Sequence, residues 1–235
     1  MNEFFRFPHT PHLTWLGDGS PRDDKILSVA EMASLLKGDV VVEEKLDGAN
    51  IGFSLGADGR LLAQNRGQYL VAPYAGQFAR LSSWLAQHGN DLRAVLDSNL
   101  IVFGEWCAAR HSLDYVALPD WFLIFDVYDR SCGRFWSRAR RDGLAIKSSL
   151  IGVPQLLSTK TSLDALKTLV VNRPSHFREG ALEGIVIRRE TQDWCEARAK
   201  LVRPDFIQAI DTHWRKRAVE WNRIGTAIDA TKQPN

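Results

Sequence analysis

Hydrophobic and polar positions change period several times along the 235 residues, and each change marks an element. Residues 1–38 are rich in Pro, Gly and Asp until "SVAEMASLLKG", whose spacing predicts a short helix. Three valines then open a strand over residues 40–44. "ANIGFSL" and "RLLAQN" alternate with period two around Asp58-Gly59, the pattern of a hairpin. "YAGQFARLSSWLAQHG" repeats its apolar residues at helical spacing, with Phe78, Leu81, Trp84 and Leu85 on one stripe. The runs "NLIVFGEWC" and "DWFLIFDVYD" are too short and too aromatic for buried helices. "SRARRDGLAIKSSL" and "SLDALKTLVV" read as helices, whereas "LEGIVIRR" and "RAKLV" are strand-like. The spacing of Phe206, Ile210, Trp214 and Trp221 predicts a closing helix over residues 204–223, with Pro204 near its start. The pattern as a whole is α+β, antiparallel strands with interspersed helices, organised as one domain over residues 1–235.

Composition narrows the class without naming a function. The chain is 45% hydrophobic and 25% charged, enough to bury a sizeable core, and its net charge of +2 is too mild to imply a polynucleotide partner by itself. Cys107, Cys132 and Cys195 are far apart and form no metal-ligand spacing, which suggests a reducing compartment. Neither a signal-like apolar segment nor an 18-residue apolar run is present, so a cytoplasmic protein without membrane contact is expected.

Chemistry enters with "EEKLDGAN" at residues 43–50. A K-x-D-G match arises by chance in roughly one chain in twenty of this length, so Lys45 alone reads as a solvated lysine before an Asp-Gly turn. An ordered series changes that reading: "EEKLDGAN", "QNRGQ", "FGEW", "FLIFDVYD", "EGIVIR" and "AKLVRPDF" follow one another along the chain. The series resembles the covalent nucleotidyltransferase superfamily of ATP-dependent ligases and capping enzymes, and within it the RNA ligase branch. The resemblance runs from about Phe7 to Trp214. It implies a nucleotidyltransferase (ATP-grasp-like ligase adenylation) core of antiparallel sheets flanked by helices.

The resemblance also assigns roles. Lys45 stands where the family lysine attacks the α-phosphate of ATP and becomes a lysyl–AMP phosphoramidate. Glu44, Asp47, Asn50 and Arg66 fall in nucleotide-binding motifs. Glu105 matches the acid that accepts from the ribose hydroxyls, and Phe125 the aromatic that stacks on adenine. Glu183 matches the acid that places Mg²⁺ or Mn²⁺, with Ile185 among the apolar residues covering the other face of the base. Lys200 and Arg203 lie in the last motif, which departs from the family pattern: of its two lysines only Lys200 is present, and the second position is Arg198 or Val202. Arg110, His111, Tyr115, Asp126 and Arg188 are further candidates for the site.

Elementary chemistry adds one demand. A free lysine has a pKa near 10.4, so only about one in 2,500 is a neutral amine at pH 7. Glu43 shares a strand face with Lys45 while Glu44 points away, and a carboxylate there favours the ammonium. A nucleophilic Lys45 therefore needs a metal or cationic side chains nearby to outweigh Glu43.

The family's DNA ligases and capping enzymes carry an OB domain after the core, and no stretch here corresponds to one. The basic runs "SRARR" and "WRKR" supply candidate phosphate contacts at Arg138, Arg140, Arg215 and Arg217. The resemblance implies an ATP-dependent polynucleotide ligase, joining 5′-phosphate and 3′-hydroxyl ends of RNA, with a partner protein as a possible source of end binding. A GTP-using capping-type guanylyltransferase and a non-catalytic nucleic-acid or nucleotide-binding module of the same fold are the alternatives.

Overall fold

The structure, a computed structural model, describes residues 3–18, 21, 25–209 and 218–225. Eleven strands among these residues form two sheets. The first has the order β11-β10-β1-β9, from β1 (Val40–Lys45), β9 (Gln155–Thr159), β10 (Gly184–Glu190) and β11 (Cys195–Val202). The second runs β4-β3-β2-β5-β6-β7, from β2 (Ala49–Leu55), β3 (Leu61–Asn65), β4 (Tyr69–Leu70), β5 (Leu100–Trp106), β6 (Phe122–Asp129) and β7 (Arg134–Phe135). The short β8 (Ile151–Gly152) joins β6 in parallel, and the pairings between the other strands are antiparallel. Gly59 at φ 75° closes the β2–β3 hairpin.

Each sheet hides one face under helices. On the first sheet Val40, Val42, Ile185, Ile187, Ala199 and Leu201 pack against Leu35 of α1 (Val29–Leu35) and Leu166 and Val170 of α4 (Leu163–Asn172). A capping box starts α1, where Ser28 Oγ accepts from Glu31 N and Glu31 Oε2 accepts from Ser28 N. On the second sheet Ile51, Phe53, Val102, Trp106 and Ile124 pack against Leu81, Trp84 and Leu92 of α2 (Leu81–Val95) and Leu144 and Ala145 of α3 (Arg138–Lys147).

Because side chains alternate across a strand, burying these positions turns their neighbours to the opposite face. On the first sheet that face carries Glu43 and Lys45 of β1, Val186 and Arg188 of β10, and Arg198 and Lys200 of β11. Register aligns Glu43 with Val186 and Val186 with Lys200, and likewise Lys45 with Gly184 and Arg188 with Arg198. The N-terminal segment crosses between the sheets. Phe7 packs with Phe103 of the second sheet, while Lys200 N donates to Pro11 O and Leu13 N to Lys200 O on the first.

The closing helix is shorter than its apolar spacing predicts. Helix α5 spans Pro204–Ala209, and Ile210 and Trp214 lie outside the described residues. Residues 218–225 are not helical: Trp221 bridges to Ala109 and Ile224 to Leu118, as a strap along the loop after β5. Trp221 therefore answers to Arg80, whose guanidinium lies 4.3 Å over its ring, and not to a helix stripe.

Candidate active site

Between the uncovered faces of the two sheets lies a cleft of about 830 Å³. Lys45, Asn50, Arg66, Glu105, Phe125 and Lys200 all line it, together with Phe7, Thr10, Val153, Val186, Arg188 and Arg198. Its volume falls in the usual range for small-molecule sites.

Lys45 ends β1, and its Nζ lies 2.5 Å from Glu183 Oε1. Burial alone would push the Lys45 ammonium down, but Glu183, Glu105 and Asp47 together outweigh it and hold its pKa above the ordinary value. The acids respond in turn. Burial raises Glu183 to about 8 and Glu105 to about 7, against the lowering pull of Lys45. The surroundings thus hold more negative charge than one lysine balances. Glu183 Oε2 is buried without a hydrogen-bond partner among the described residues, as are Asn50 Oδ1 and Arg66 Nε. Unpaired buried polar atoms are costly; those of Asn50 and Arg66 line the cleft and that of Glu183 lies beside Lys45, marking a surface shaped for polar ligand groups.

Two glycines set the spacing. A Cβ on Gly48 would sit 2.6 Å from the Trp106 carbonyl oxygen and 3.0 Å from Glu105 Cγ. Only a glycine lets the K-x-D-G turn come this close to β5, and its backbone N–H pulls the Glu105 carboxyl down. A Cβ on Gly184, opposite Lys45, would meet the Leu201 carbonyl oxygen at 2.5 Å.

The charge of Glu43 is answered by arginines. Its carboxylate is 2.7 Å from Arg141 Nη2, 3.2 Å from Arg138 Nε and 3.9 Å from Arg188 Nε. Glu44 turns the other way, as strand alternation requires: it accepts from Ser175 Oγ at 2.5 Å and from His176 N at 3.0 Å, with His176 Nδ1 at 2.8 Å. Glu44 borders the cleft, with its carboxylate bonded to Ser175 and His176.

Four other residues expected at the site lie away from the cleft or hold partners of their own. Ile185 is fully buried in the core under α1 and α4, and Val186, one residue on, faces the cleft. Arg203 forms a two-pronged pair with Asp205 at 2.9 and 2.7 Å and does not line the cleft. Asp47 spends Oδ2 on the N–H groups of Ser112 and Leu113, both at 2.7 Å, while its own N–H donates to Tyr115 Oη at 2.8 Å. It shapes the turn that presents Lys45. Arg138 is paired with Glu43 at 3.2 Å and with Asp142 at 2.8 Å.

Arg140 lies over Trp136 at 4.1 Å and Trp194 at 4.6 Å, on the outside of the first helix turn of α3. Arg215 and Arg217 lie outside the described residues. In the last motif Arg198 is paired with Asp126, which also takes Arg188 Nη1 at 2.7 Å. Lys200 faces the cleft beside Val186. Phe125 sits at a register shift between β5 and β6, where Phe103 pairs with Asp126 but Gly104 with Ile124. That leaves Phe125 unpaired on the strand. Its carbonyl accepts from Arg141 at 2.9 Å and Arg188 at 3.1 Å, and its ring lies 5.3 Å from that of Phe7.

Sequence reasoning missed Phe7, Thr10, Gln77, Val153, Val186 and Arg141. Val186 could have been found by the parity of β10 had its register with β1 been known. Gln77 Oε1 accepts from His111 Nε2 at 2.8 Å, which brings that candidate histidine to the cleft as well. A divalent metal finds a candidate ligand in the unpartnered Glu183 Oε2. Among the described residues no group of three or more His, Cys, Asp or Glu is arranged to hold one unaided. Magnesium accepts such a site because it keeps water and phosphate oxygens as its other ligands. Among the described residues no helix is long and apolar enough to cross a membrane.

Comparison with known proteins agrees with this fold. The profile of the RNA ligase family matches residues 38–202. Among solved structures, a Naegleria gruberi RNA ligase variant with ATP and Mn matches at a TM-score of 0.58 and 13% identity, over 78% of this chain and 55% of that one. The same ligase with PPi matches at 0.58 and 16%, over 88% and 64%. A putative ATP-dependent DNA ligase from Aquifex aeolicus matches at 0.53 and 19%, over 88% and 52%. The chain thus spans between half and two thirds of the length of these solved structures. No curated protein matches it.

Proposed function

Because the chain belongs to the RNA ligase family, we propose that it is an ATP-dependent polynucleotide ligase, acting on RNA, that carries AMP on Lys45. The observation that carries this reading is Lys45 itself, on the floor of the cleft against an acid whose second oxygen is unpartnered. The cleft's remaining groups suit a nucleoside triphosphate. Phe125 and Val186 offer apolar faces for a base, Glu105 an acceptor for ribose hydroxyls, and Lys200 and Arg66 cations for phosphates.

In the first step the Lys45 amine attacks the α-phosphorus, forming the N–P bond as the bond to pyrophosphate breaks. Glu183, 2.5 Å away, is placed to take the ammonium proton in its ionised form, which grows in as pH rises through about 8. Arg138 and Arg141 keep Glu43 from holding that proton back. Glu183 would hold the Mg²⁺ or Mn²⁺, which when bound supplies charge neutralisation for the phosphates. A 5′-phosphate oxygen then attacks the same phosphorus and releases Lys45. Finally the 3′-hydroxyl attacks the 5′-phosphate and AMP leaves. Contacts that hold the polynucleotide ends are proposed for Arg140, Arg215 and Arg217, or for a partner protein.

Intact-mass analysis after incubation with ATP and Mg²⁺ or Mn²⁺ tests this. One added AMP is expected. No adduct on folded protein purified free of prior adenylate sinks the proposal, and an adduct with GTP alone redirects it to capping chemistry.

A further inference from the structure

The strap at residues 218–225 does not line the cleft, yet its one buried polar side chain is bonded to the loop that leads back to Lys45. Asn222 is 4% exposed. Its Nδ2 donates to Cys107 O at 2.8 Å and Ala109 O at 3.4 Å, and its Oδ1 accepts from Tyr115 N at 2.9 Å. Backbone bonds run alongside: Asn222 N to Ala108 O at 3.0 Å and Arg223 N to Tyr115 O at 2.9 Å. Asn222 therefore ties together both ends of the loop 107–115.

Each end of that loop leads to Lys45. Cys107 follows Glu105 by two residues on the chain that leaves β5. Tyr115, buried beside Leu46, accepts from Asp47 N through its hydroxyl, and Asp47 Oδ2 binds the loop N–H groups of Ser112 and Leu113. From this chain of bonds we propose that Asn222 is a positioning residue, which fixes the K-x-D-G turn, and with it the Lys45 amine, relative to Glu105. The inference rests on the reading of Lys45 as the nucleophile only for its catalytic consequence.

Two measurements on the full chain test it, with Asn222→Ala, Tyr115→Phe and their combination. Tyr115→Phe keeps the buried ring and removes only the hydroxyl, so it stands in if Asn222→Ala does not fold. Glu220→Gln, which loses an exposed pair with Arg110 on the same strap, is the control. The first measurement is hydrogen–deuterium exchange of the peptides that cover residues 45–48 and 107–115, read by mass spectrometry. Releasing the turn is expected to speed exchange at Asp47, Ser112 and Leu113, whose N–H groups this chain of bonds holds, in both variants and not in the control. The second is the single-turnover rate of AMP transfer to Lys45, expected to fall about three- to tenfold in each variant, the scale of one lost hydrogen bond. Because both act along one chain of bonds, the double variant is expected to fall no further than the worse single one. Unchanged exchange at these positions in folded Asn222→Ala and Tyr115→Phe would overturn the proposal, as would multiplicative rate losses. If the wild-type chain takes no AMP at all, the functional reading fails, and the exchange rates still decide the positioning role.

Discussion

Replacing Arg141 by methionine removes the closest partner of a carboxylate that lies two residues from Lys45 on the same strand face. The Glu43 side chain is 2% exposed and that of Arg141 0%, with 2.7 Å between Oε1 and Nη2. After the change, Glu43 keeps Arg138 at 3.2 Å and the more distant Arg188 at 3.9 Å. The Phe125 carbonyl keeps Arg188 at 3.1 Å, so that loss is smaller. Breaking a buried pair from one side costs roughly 3–5 kcal/mol, because the remaining charge stays desolvated. For a chain of this size each kcal/mol moves the melting temperature by about 2–4 °C, so Arg141→Met is expected to melt about 6 to 20 °C lower. Removing both charges with Glu43→Leu and Arg141→Met is expected to recover much of that loss, since an apolar pair of similar volume carries no desolvation cost. Calorimetry or urea unfolding of the two variants reads this directly. A loss under about 1 kcal/mol in Arg141→Met would refute the claim that arginines neutralise Glu43. So would a double variant no more stable than the single one.

The raised acids set a pH dependence. Glu183 at about 8 and Glu105 at about 7 bind protons more tightly folded than unfolded. Their contribution is fully present below the ordinary carboxylate pKa and is lost as pH rises through 7 to 8. The urea midpoint of the metal-free chain is therefore expected to fall from pH 5 to pH 8, less steeply in Glu183→Gln; a midpoint that climbs over this range contradicts the assignment. Phe125→Ala, made in a Lys45→Ala background so that binding stays non-covalent, is expected to weaken ATP binding roughly 5- to 150-fold, the range for one lost base stack. Calorimetric titration would show otherwise by an unchanged affinity. Arg203→Ala is expected to leave ATP affinity unchanged by the same titration, because Asp205 already holds its guanidinium; a clear loss would return Arg203 to the site.

The strands of the site were legible because their residues alternate. Three valines before Lys45, and the isolated acids Glu105 and Glu183 beside apolar runs, marked the sheet faces and the cleft between them. What the sequence withheld was register. Choosing Ile185 over Val186 was an error of one residue, and on a strand one residue is the difference between core and cleft. The partner of Glu43 was hidden for a different reason: Arg141 lies on α3, almost a hundred residues downstream, and only the packing of that helix under β6 brings it to β1. The "SRARR" run looked like a polynucleotide surface because a sequence shows charge without its counter-charge. The closing helix was over-read for the opposite reason. Trp221 fits a helical spacing with Phe206, but its ring is placed by Arg80 and its backbone by Ala109. Arg203 could have been read locally, since an acid two residues on is close enough to take both prongs of its guanidinium.

The central claim is that Lys45 is the residue that becomes covalently modified, and peptide mapping of the protein after incubation with ATP and Mg²⁺ tests it most directly. The account predicts AMP on the peptide that contains Lys45 and no adduct on folded Lys45→Ala. An adduct that maps to another residue, or that persists in Lys45→Ala, would contradict it.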